Sequence, residues 1–266
     1  MDEVNSLSLL VGKGVCNANC TNCAGLTHRQ YAPRQDGIVD TRRLREVIEE
    51  CYSKGARSLT ISSSGEPLLS PVSITKVLIL LMEYADAGQK FSTINLYTNG
   101  ILIGENSRFA YTYLRMWKLL GLTKIHLTVH SPDEIVNAKL FGISCYPSLV
   151  RVIYRIQRSG LHCRVNLVLE KSGIHTLEQF KEAVVDLRSC CADSISAWPL
   201  RSLDGDTIHP TEGPSKIELE KMRQWTKTVD LGIPILVHRD SSNDYYNENK
   251  KLTLFSDGTL SNSWCK

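Results

Sequence analysis

The chain has 266 residues, of which 42% are hydrophobic and 22% are charged, and its net charge is +3. This composition is ordinary for a globular protein of one domain or one and a half, and so small a net charge gives no strong field for nucleic acid. No apolar run approaches the length of a membrane span, and Met1–Asn5 show no basic segment before an apolar one. We therefore expect a cytoplasmic protein without a membrane or nucleic-acid partner.

Strands and helices alternate along the chain. Short apolar segments, many of them rich in β-branched residues, predict strands at Leu7–Val11, Ser58–Ser62, Thr93–Tyr97, Lys124–Val129, Cys163–Leu169, Ser194–Ala197 and Ile233–His238. Amphipathic or apolar stretches between them predict helices at Thr41–Lys54, Ile74–Ala87, Ser107–Leu120, Ser148–Ser159, Thr176–Arg188 and Ser215–Asp230. In the first helix we expect Asp40 to cap the N-terminus and Gly55 to end the helix.

Strands that alternate with helices predict a parallel sheet. A full barrel of eight such units normally takes about 250 residues, and here the pattern breaks before the end of the chain. Lys251–Phe255 and Thr259–Leu260, joined through Asp257-Gly258, predict a β-hairpin. The sequence therefore predicts an α/β fold: a partial (βα)6 TIM-type barrel over residues 1–240, with a short C-terminal β extension over residues 241–266.

Three of the nine cysteines, Cys16, Cys20 and Cys23, form a C-x3-C-x2-C run directly after the first predicted strand. Parallel α/β barrels collect their chemistry at the carboxyl ends of the strands, which is where this loop lies. Three thiolates can hold three corners of a 4Fe–4S cube and leave the fourth iron open for chemistry. A zinc site completed by His28 or Cys265, or a chance cluster of structural thiols, are the alternatives.

Two further motifs follow the second and third predicted strands. Ser64 and Gly65 precede Glu66-Pro67, and the third strand ends at Thr98-Asn99-Gly100. Each motif alone is typical of a turn. At the end of a strand, however, a glycine lets the backbone approach a ligand, and a carboxylate can pair with an ammonium group.

The fourth and fifth strands carry polar residues that could also face a ligand. Thr128 offers a hydroxyl near the end of the fourth strand, and His130 follows it as either a structural residue or a substrate contact. Arg164 can pair with a carboxylate in a bidentate manner, and Asn166 lies two residues beyond it; a capped strand edge is the alternative for Asn166.

The order and spacing of these five motifs resemble the radical S-adenosylmethionine (radical SAM) superfamily, and in particular its molybdenum-cofactor (MoaA-like) branch. The resemblance covers about three quarters of the chain. It implies that the three cysteines bind a 4Fe–4S cluster and that S-adenosylmethionine (SAM) chelates the open iron. It also implies SAM contacts from Ser64, Gly65, Glu66, Thr98, Asn99, Thr128, Arg164 and Asn166.

The chain departs from this family pattern at three positions. Ser64 replaces a glycine, Asn22 stands where an aromatic residue usually precedes the third cysteine, and His130 occupies the place of a common aspartate. The adenine contacts and the role of that acidic residue therefore do not transfer directly.

The resemblance implies a reductant of the flavodoxin or ferredoxin type. It also implies a reaction in which a 5′-deoxyadenosyl radical abstracts hydrogen from a small-molecule or peptide substrate. Cys145 and Cys265 are candidate catalytic thiols that could return a hydrogen atom to the substrate radical, and the alternative for each is a spectator thiol. The alternative function is a non-catalytic iron–sulfur electron carrier or sensor, which needs a fourth protein ligand and no SAM pocket.

Overall fold

The structure is a computed structural model that describes residues 3–23, 25–26, 40–202, 207–238 and 250–262. These residues contain nine β-strands. In chain order they are β1 Ser6–Leu10, β2 Ser58–Ser62, β3 Thr93–Thr98, β4 Lys124–Val129, β5 His162–Leu169, β6 Ser194–Pro199, β7 Ile235–Val237, β8 Lys251–Leu254 and β9 Leu260–Ser261. All seven predicted strands are confirmed: β2 and β4 have the predicted ends, and the ends of the other five differ by at most two residues.

The strands form one sheet in the order β7-β6-β5-β4-β3-β2-β1-β8-β9. Strands β1 to β7 run parallel, each beside its neighbour in sequence. This order is the one that repeated right-handed βα units produce. The predicted α/β class with a parallel sheet is confirmed.

The helices connect successive strands. They are α1 Thr41–Ser53, α2 Pro71–Asp86, α3 Ile101–Glu105, α4 Ser107–Phe109, α5 Arg115–Leu119, α6 Glu134–Leu140, α7 Leu149–Arg158, α8 Leu177–Ser189 and α9 Lys216–Thr228. Both expectations for the first helix are confirmed: the Asp40 carboxylate accepts a hydrogen bond from the Arg42 backbone at 2.8 Å, and Gly55 adopts a φ of +107°. None of the helices in the described part of the chain is long and apolar enough to cross a membrane.

Three features of the helices were not predicted, and the first is the short helix α3 that follows β3. The stretch expected to form one helix over Ser107–Leu120 contains a π-helical segment, Ala110–Leu114, between α4 and α5. Helix α6 was missed because it is short and shows no apolar periodicity. It begins after Asp133, whose side chain accepts hydrogen bonds from the Ile135 and Val136 backbones at 2.8 and 3.1 Å.

The two faces of the sheet differ in polarity. Alternate residues of β2 to β6, such as Ile61, Leu127 and Leu167, are apolar and fully buried. The residues between them, which share the other face, include buried polar side chains such as His126 and Asn166. The sheet therefore has an apolar face and a polar one, and Thr128 of the site described below belongs to the polar face.

The C-terminal hairpin is confirmed and belongs to the same sheet. Strand β9 pairs antiparallel with β8, and Gly258 adopts a φ of +87° in the predicted turn. Strand β8 also pairs in parallel with β1, which the sequence did not predict. The predicted domain boundary at residue 240 lies outside the described residues and stays a prediction.

Candidate functional site

A cavity of about 330 Å³ lies where the strands end. Its wall is formed by the cysteine loop and by residues at the carboxyl ends of β2 to β6. Eight of the residues predicted from sequence lie on this wall: Cys16, Cys20, Cys23, Gly65, Glu66, Thr98, Asn99 and Thr128. The fold thus brings together segments that are more than 100 residues apart in the chain.

The other predicted residues lie elsewhere. Ser64 is buried, with its carbonyl oxygen against Gly25 of the cysteine loop. Arg164 and Asn166 lie earlier along β5 and are not part of the cavity wall among the described residues. Cys145 is exposed, in the loop between α6 and α7, and is not on this wall either. Cys265 and His28 lie outside the described residues.

The cysteine loop is held against the end of β2 by close backbone packing. The Glu66 amide donates to the Val15 carbonyl at 2.9 Å, immediately before Cys16. A Cβ atom on Gly65 would lie 2.2 Å from that same carbonyl oxygen. Only glycine fits there. The glycine that we expected to face a ligand therefore also seats the cysteine loop.

The opposite side of the loop is fixed by the segment after α6. The Asn19 amide donates to the Phe141 carbonyl at 2.8 Å, and a Cβ on Gly142 would lie 2.4 Å from the Asn19 carbonyl oxygen. Gly142 also has a φ of +63°, which favours glycine. The loop is therefore clamped between the ends of β2 and α6.

Asn99 at the end of β3 ties a third element to the cysteine loop. Its side-chain amide donates to the Asn17 side-chain oxygen at 2.8 Å and lies 3.9 Å from the Cys16 sulfur. The carbonyl of Asn99 accepts a hydrogen bond from the Tyr146 hydroxyl at 2.7 Å. Neither Asn17 nor Tyr146 was singled out from the sequence, because an asparagine and a tyrosine in loops carry no distinctive pattern.

The Glu66 carboxylate is buried and accepts three hydrogen bonds from the protein. Oε1 accepts from the Leu68 amide at 3.0 Å and from the Thr98 hydroxyl at 2.7 Å, and Oε2 accepts from the Asn99 amide at 2.8 Å. A carboxylate has about four acceptor sites, so one remains, on Oε2. That site is available to a bound ammonium group, while the bonds from Thr98 and Asn99 join the end of β2 to the end of β3.

Burial raises the pKa of Glu66 to about 7, against the three hydrogen bonds, which lower it. Near neutral pH the group is therefore close to the midpoint of its titration. A cationic ligand in the cavity would favour the ionised form.

Arg164 is engaged by protein groups. Its guanidinium donates to the Ser196 hydroxyl and lies 3.4 Å from His238 Nε2, which is itself 2.6 Å from the same hydroxyl. The His238 ring stacks on Trp198, which reaches the cavity wall. The side-chain oxygen of Asn166 is buried and has no hydrogen-bond partner in the part of the chain that the structure describes. The predicted SAM contacts of Arg164 and Asn166 stay predictions.

His130 lies on the cavity wall beside Glu170, a residue to which the sequence gave no role. Nδ1 of the buried His130 ring contacts Oε1 of the buried Glu170. The two residues follow the ends of β4 and β5, which are adjacent in the sheet. The position of Glu170 directly after a strand was the available signal for this pair.

The three cysteines are half-buried and close enough to influence one another. Burial, followed by repulsion from Cys23 and Cys16, raises the pKa of Cys20 to about 12. Iron supplies the positive charge that makes a thiolate the stable form. Among the described residues, no three His, Cys, Asp or Glu side chains converge as ligands of one metal ion. A cube does not require such convergence, because each thiolate binds a different iron.

The sequence model described as "Radical SAM superfamily" matches residues 12–188, which hold the cysteine loop and β2 to β5. The chain belongs to the radical SAM superfamily. This family uses a 4Fe–4S cluster and SAM, so the predicted cofactors are confirmed. The donor set fits both: three thiols on one clamped loop, beside a cavity with a buried carboxylate.

Two curated relatives of the chain are both named as probable GTP 3′,8-cyclases. The chain is 26% identical over 229 residues to a probable GTP 3′,8-cyclase of Methanopyrus kandleri, which covers 83% of this chain and 67% of that protein. It is 25% identical over 167 residues to a probable GTP 3′,8-cyclase of Sulfurisphaera tokodaii, which covers 62% of this chain and 47% of that protein. The chain thus matches about half to two thirds of the length of these relatives. The predicted MoaA-like resemblance is confirmed.

Solved structures share the fold. The structure of anSMEcpe with bound AdoMet (SAM) has a TM-score of 0.64 at 14% identity and covers 97% of this chain and 74% of that chain. A radical SAM methyltransferase from Sphaerobacter thermophilus has a TM-score of 0.58 at 16% identity and covers 86% of this chain and 65% of that chain. These similarities support the predicted partial barrel.

Substitution of Gly65 by alanine tests the packing of the cysteine loop. Because the new Cβ would lie 2.2 Å from the Val15 carbonyl oxygen, the loop must move, and we expect a large loss of iron and sulfide after anaerobic reconstitution. Gly88→Ala is the control, since no atom lies within 4 Å of its Cβ position. That control costs about 1 kcal/mol of stability through its positive φ but should load a normal cluster. Normal loading of Gly65→Ala would contradict the account.

Glu66→Gln tests whether the raised pKa of this buried carboxyl group makes the free energy of unfolding depend on pH. The pKa of Glu66 is raised from 4.5 to about 7, so the folded state binds its proton more tightly than the unfolded state. The protonated Glu66 side chain contributes on the order of 3 kcal/mol to the free energy of unfolding. This contribution is fully present below pH 4.5 and is lost as pH rises through 7. Urea unfolding between pH 5 and 8 should show a shallower pH dependence for Glu66→Gln, with Glu220→Gln, an exposed carboxylate, as the control. Parallel curves for wild type and Glu66→Gln would be the contrary result.

Proposed function

We propose that this radical SAM enzyme abstracts a hydrogen atom from a small-molecule or peptide substrate. When bound, a reduced 4Fe–4S cluster and SAM supply a 5′-deoxyadenosyl radical for hydrogen abstraction from an unreactive carbon. The observation that carries the proposal is the cavity itself, because it joins the three-cysteine loop to the buried Glu66 carboxylate.

The residues of the chain have distinct parts in this proposal. Cys16, Cys20 and Cys23 hold the cluster, and the remaining acceptor site of Glu66 binds the SAM ammonium group. Thr98 helps by positioning Glu66, because its hydroxyl proton is already donated to that carboxylate. Thr128 offers a hydroxyl on the same cavity wall.

A reductant of the flavodoxin or ferredoxin type is proposed as the electron donor. The half-buried cysteines lie close to the surface, so a docked protein could reach a cluster held by them. A cluster with an open iron in an accessible cavity should also be sensitive to oxygen. We propose a cytoplasmic location, where such a reductant and reduced thiols occur together.

The substrate is proposed only as a class. The curated relatives are named GTP 3′,8-cyclases, so GTP is the first compound to test. The chain spans only about half the length of several of these relatives, and their substrate does not transfer with the shared barrel. Peptides and other small molecules follow in the same screen.

Return of a hydrogen atom by a protein thiol remains a separate prediction. Cys145 is exposed and is not on the described cavity wall, so it would need loop movement to reach a substrate radical. Cys265 lies outside the described residues and is the preferred candidate of the two.

Formation of 5′-deoxyadenosine tests the proposed function. The reconstituted chain should convert SAM to 5′-deoxyadenosine and methionine when dithionite is added, as measured by liquid chromatography and mass spectrometry. Cys20→Ala should lose this conversion because the cluster loses one of its three ligands. Cys191→Ala, which removes an exposed thiol remote from the cavity wall, should retain it.

Two results would contradict the proposal. A tightly bound zinc ion without labile sulfide would exclude the cluster. A stable cluster that never cleaves SAM would favour the electron carrier or sensor.

A further inference from the structure

The helical segments that precede β4 and β5 carry positive charge and no negative charge. Six cations lie in the segment Ser107–Leu120 and in α7: Arg108, Arg115, Lys118, Arg151, Arg155 and Arg158. Neither segment contains an aspartate or a glutamate. Because the net charge of the whole chain is only +3, this positive charge is concentrated locally and is not a property of the entire surface.

The two segments lie side by side on one side of the sheet. Each belongs to a connection between neighbouring parallel strands, and right-handed connections place both on the same side. The Arg155 guanidinium of α7 donates to the carbonyls of Ile103 and Gly104, directly before the first segment, at 2.7 and 2.6 Å. A Cβ on Gly160, just after α7, would lie 3.6 Å from the Lys118 side chain. The two segments therefore form one continuous surface.

Most of the cations on this surface have no ion pair. Apart from Arg155, all of them are exposed, and within the described part of the chain none has a carboxylate partner. Exposed cations on other helices do pair, as Arg45 does with Glu83 at 2.7 Å and Lys221 with Glu218 at 2.6 Å. Neighbouring cations without counter-charges repel one another, and an anionic partner would relieve that repulsion.

Two exposed tyrosines lie among these cations. Tyr111 is 67% exposed and Tyr154 is 57% exposed. An arginine lies over each ring: the Arg115 guanidinium is 5.1 Å from the centre of Tyr111, and that of Arg158 is 6.0 Å from the centre of Tyr154. Tyrosine and arginine are enriched among the residues that contribute most to protein–protein binding. The surface thus has the composition of a protein interface as well as its charge.

One end of this surface lies next to the cysteine loop. Tyr146 is buried three residues before the first residue of α7, and its hydroxyl donates to the Asn99 carbonyl at 2.7 Å. The Asn99 side chain in turn lies 3.9 Å from the Cys16 sulfur. Two buried side chains therefore connect the start of α7 with a cysteine of the loop.

We propose that the exposed face of Ser107–Leu120 and α7, here called the basic face, docks the acidic surface of a flavodoxin-type electron donor. The anionic flavin hydroquinone of the donor loses one electron to become the neutral semiquinone, and the cluster of the chain gains that electron. No proton moves and no bond forms or breaks. The inference rests on the proposed function, in that the chain must hold a reducible cluster.

The extent and position of the basic face favour this partner over two others. The cations extend along all of α7, about 15 Å, and onto the neighbouring segment, which suits the broad surface of a flavodoxin better than a small ferredoxin. Nucleic acid would also be attracted to the cations, but its binding gives no reason for the basic face to end beside the cysteine loop.

Charge reversal in the first turn of each segment tests the docking. The double variant Arg108→Glu with Arg151→Glu should fold normally, because both residues are exposed and a glutamate suits the first turn of a helix. Calorimetry of flavodoxin binding to the anaerobically reconstituted chain should show a Kd raised at least about tenfold, which corresponds to about 1.4 kcal/mol. Binding to the wild type should also weaken as ionic strength increases.

The double variant Lys216→Glu with Lys227→Glu is the matched control. Both lysines are exposed on α9, and the two double variants change the net charge by the same amount. The control should bind flavodoxin as the wild type does. With dithionite, both double variants should form 5′-deoxyadenosine at the wild-type rate, because a small reductant needs no docking surface.

Several results would overturn the proposal. They are unchanged flavodoxin affinity in the Arg108 and Arg151 variant, equal weakening in the control, or no binding of flavodoxin to the wild type. Tighter binding of a ferredoxin or of single-stranded RNA to the basic face would overturn it as well. Failure of the wild type to load a cluster, or to cleave SAM with dithionite, would instead reject the proposed function.

Discussion

The site depends on one buried carboxylate. Glu66 is 3% exposed, and its oxygens accept hydrogen bonds from Leu68, Thr98 and Asn99, while its own amide donates to Val15. A buried charge without such partners is strongly destabilising. The ends of β2 and β3 and the start of the cysteine loop must therefore meet at this residue for the group to be tolerated. The same junction leaves one acceptor site on Glu66, a residue that lines the cavity.

Glycine makes the rest of this junction possible. Gly65 and Gly142 let backbone approach backbone on the two sides of the cysteine loop, at contacts where a Cβ would fall within 2.4 Å of a carbonyl oxygen. A loop positioned by backbone contacts on both sides holds its cysteines in a fixed relation without help from a metal. This preorganisation suits a cluster whose three ligands come from only eight consecutive residues.

Sequence patterns predicted most of the fold and much of the site. The seven parallel strands follow from short apolar runs, and Cys16, Glu66 and Thr98 share one cavity because parallel strands end on the same side. The pairing of β8 with β1 could not be predicted, since it joins residues nearly 250 positions apart and no local pattern encodes that contact. The partner of His130 was missed for the same reason: Glu170 is forty residues away and becomes a neighbour only through the sheet.

We propose that Cys16, Cys20 and Cys23 bind a cube and leave one iron open for SAM. Mössbauer spectroscopy of the chain reconstituted with iron-57 tests this most directly. We expect a 4Fe–4S cluster in which one iron of the four changes its isomer shift and quadrupole splitting when SAM is added, while the other three do not. Four irons that remain unchanged by SAM in a chain that has loaded the cluster would contradict this proposal.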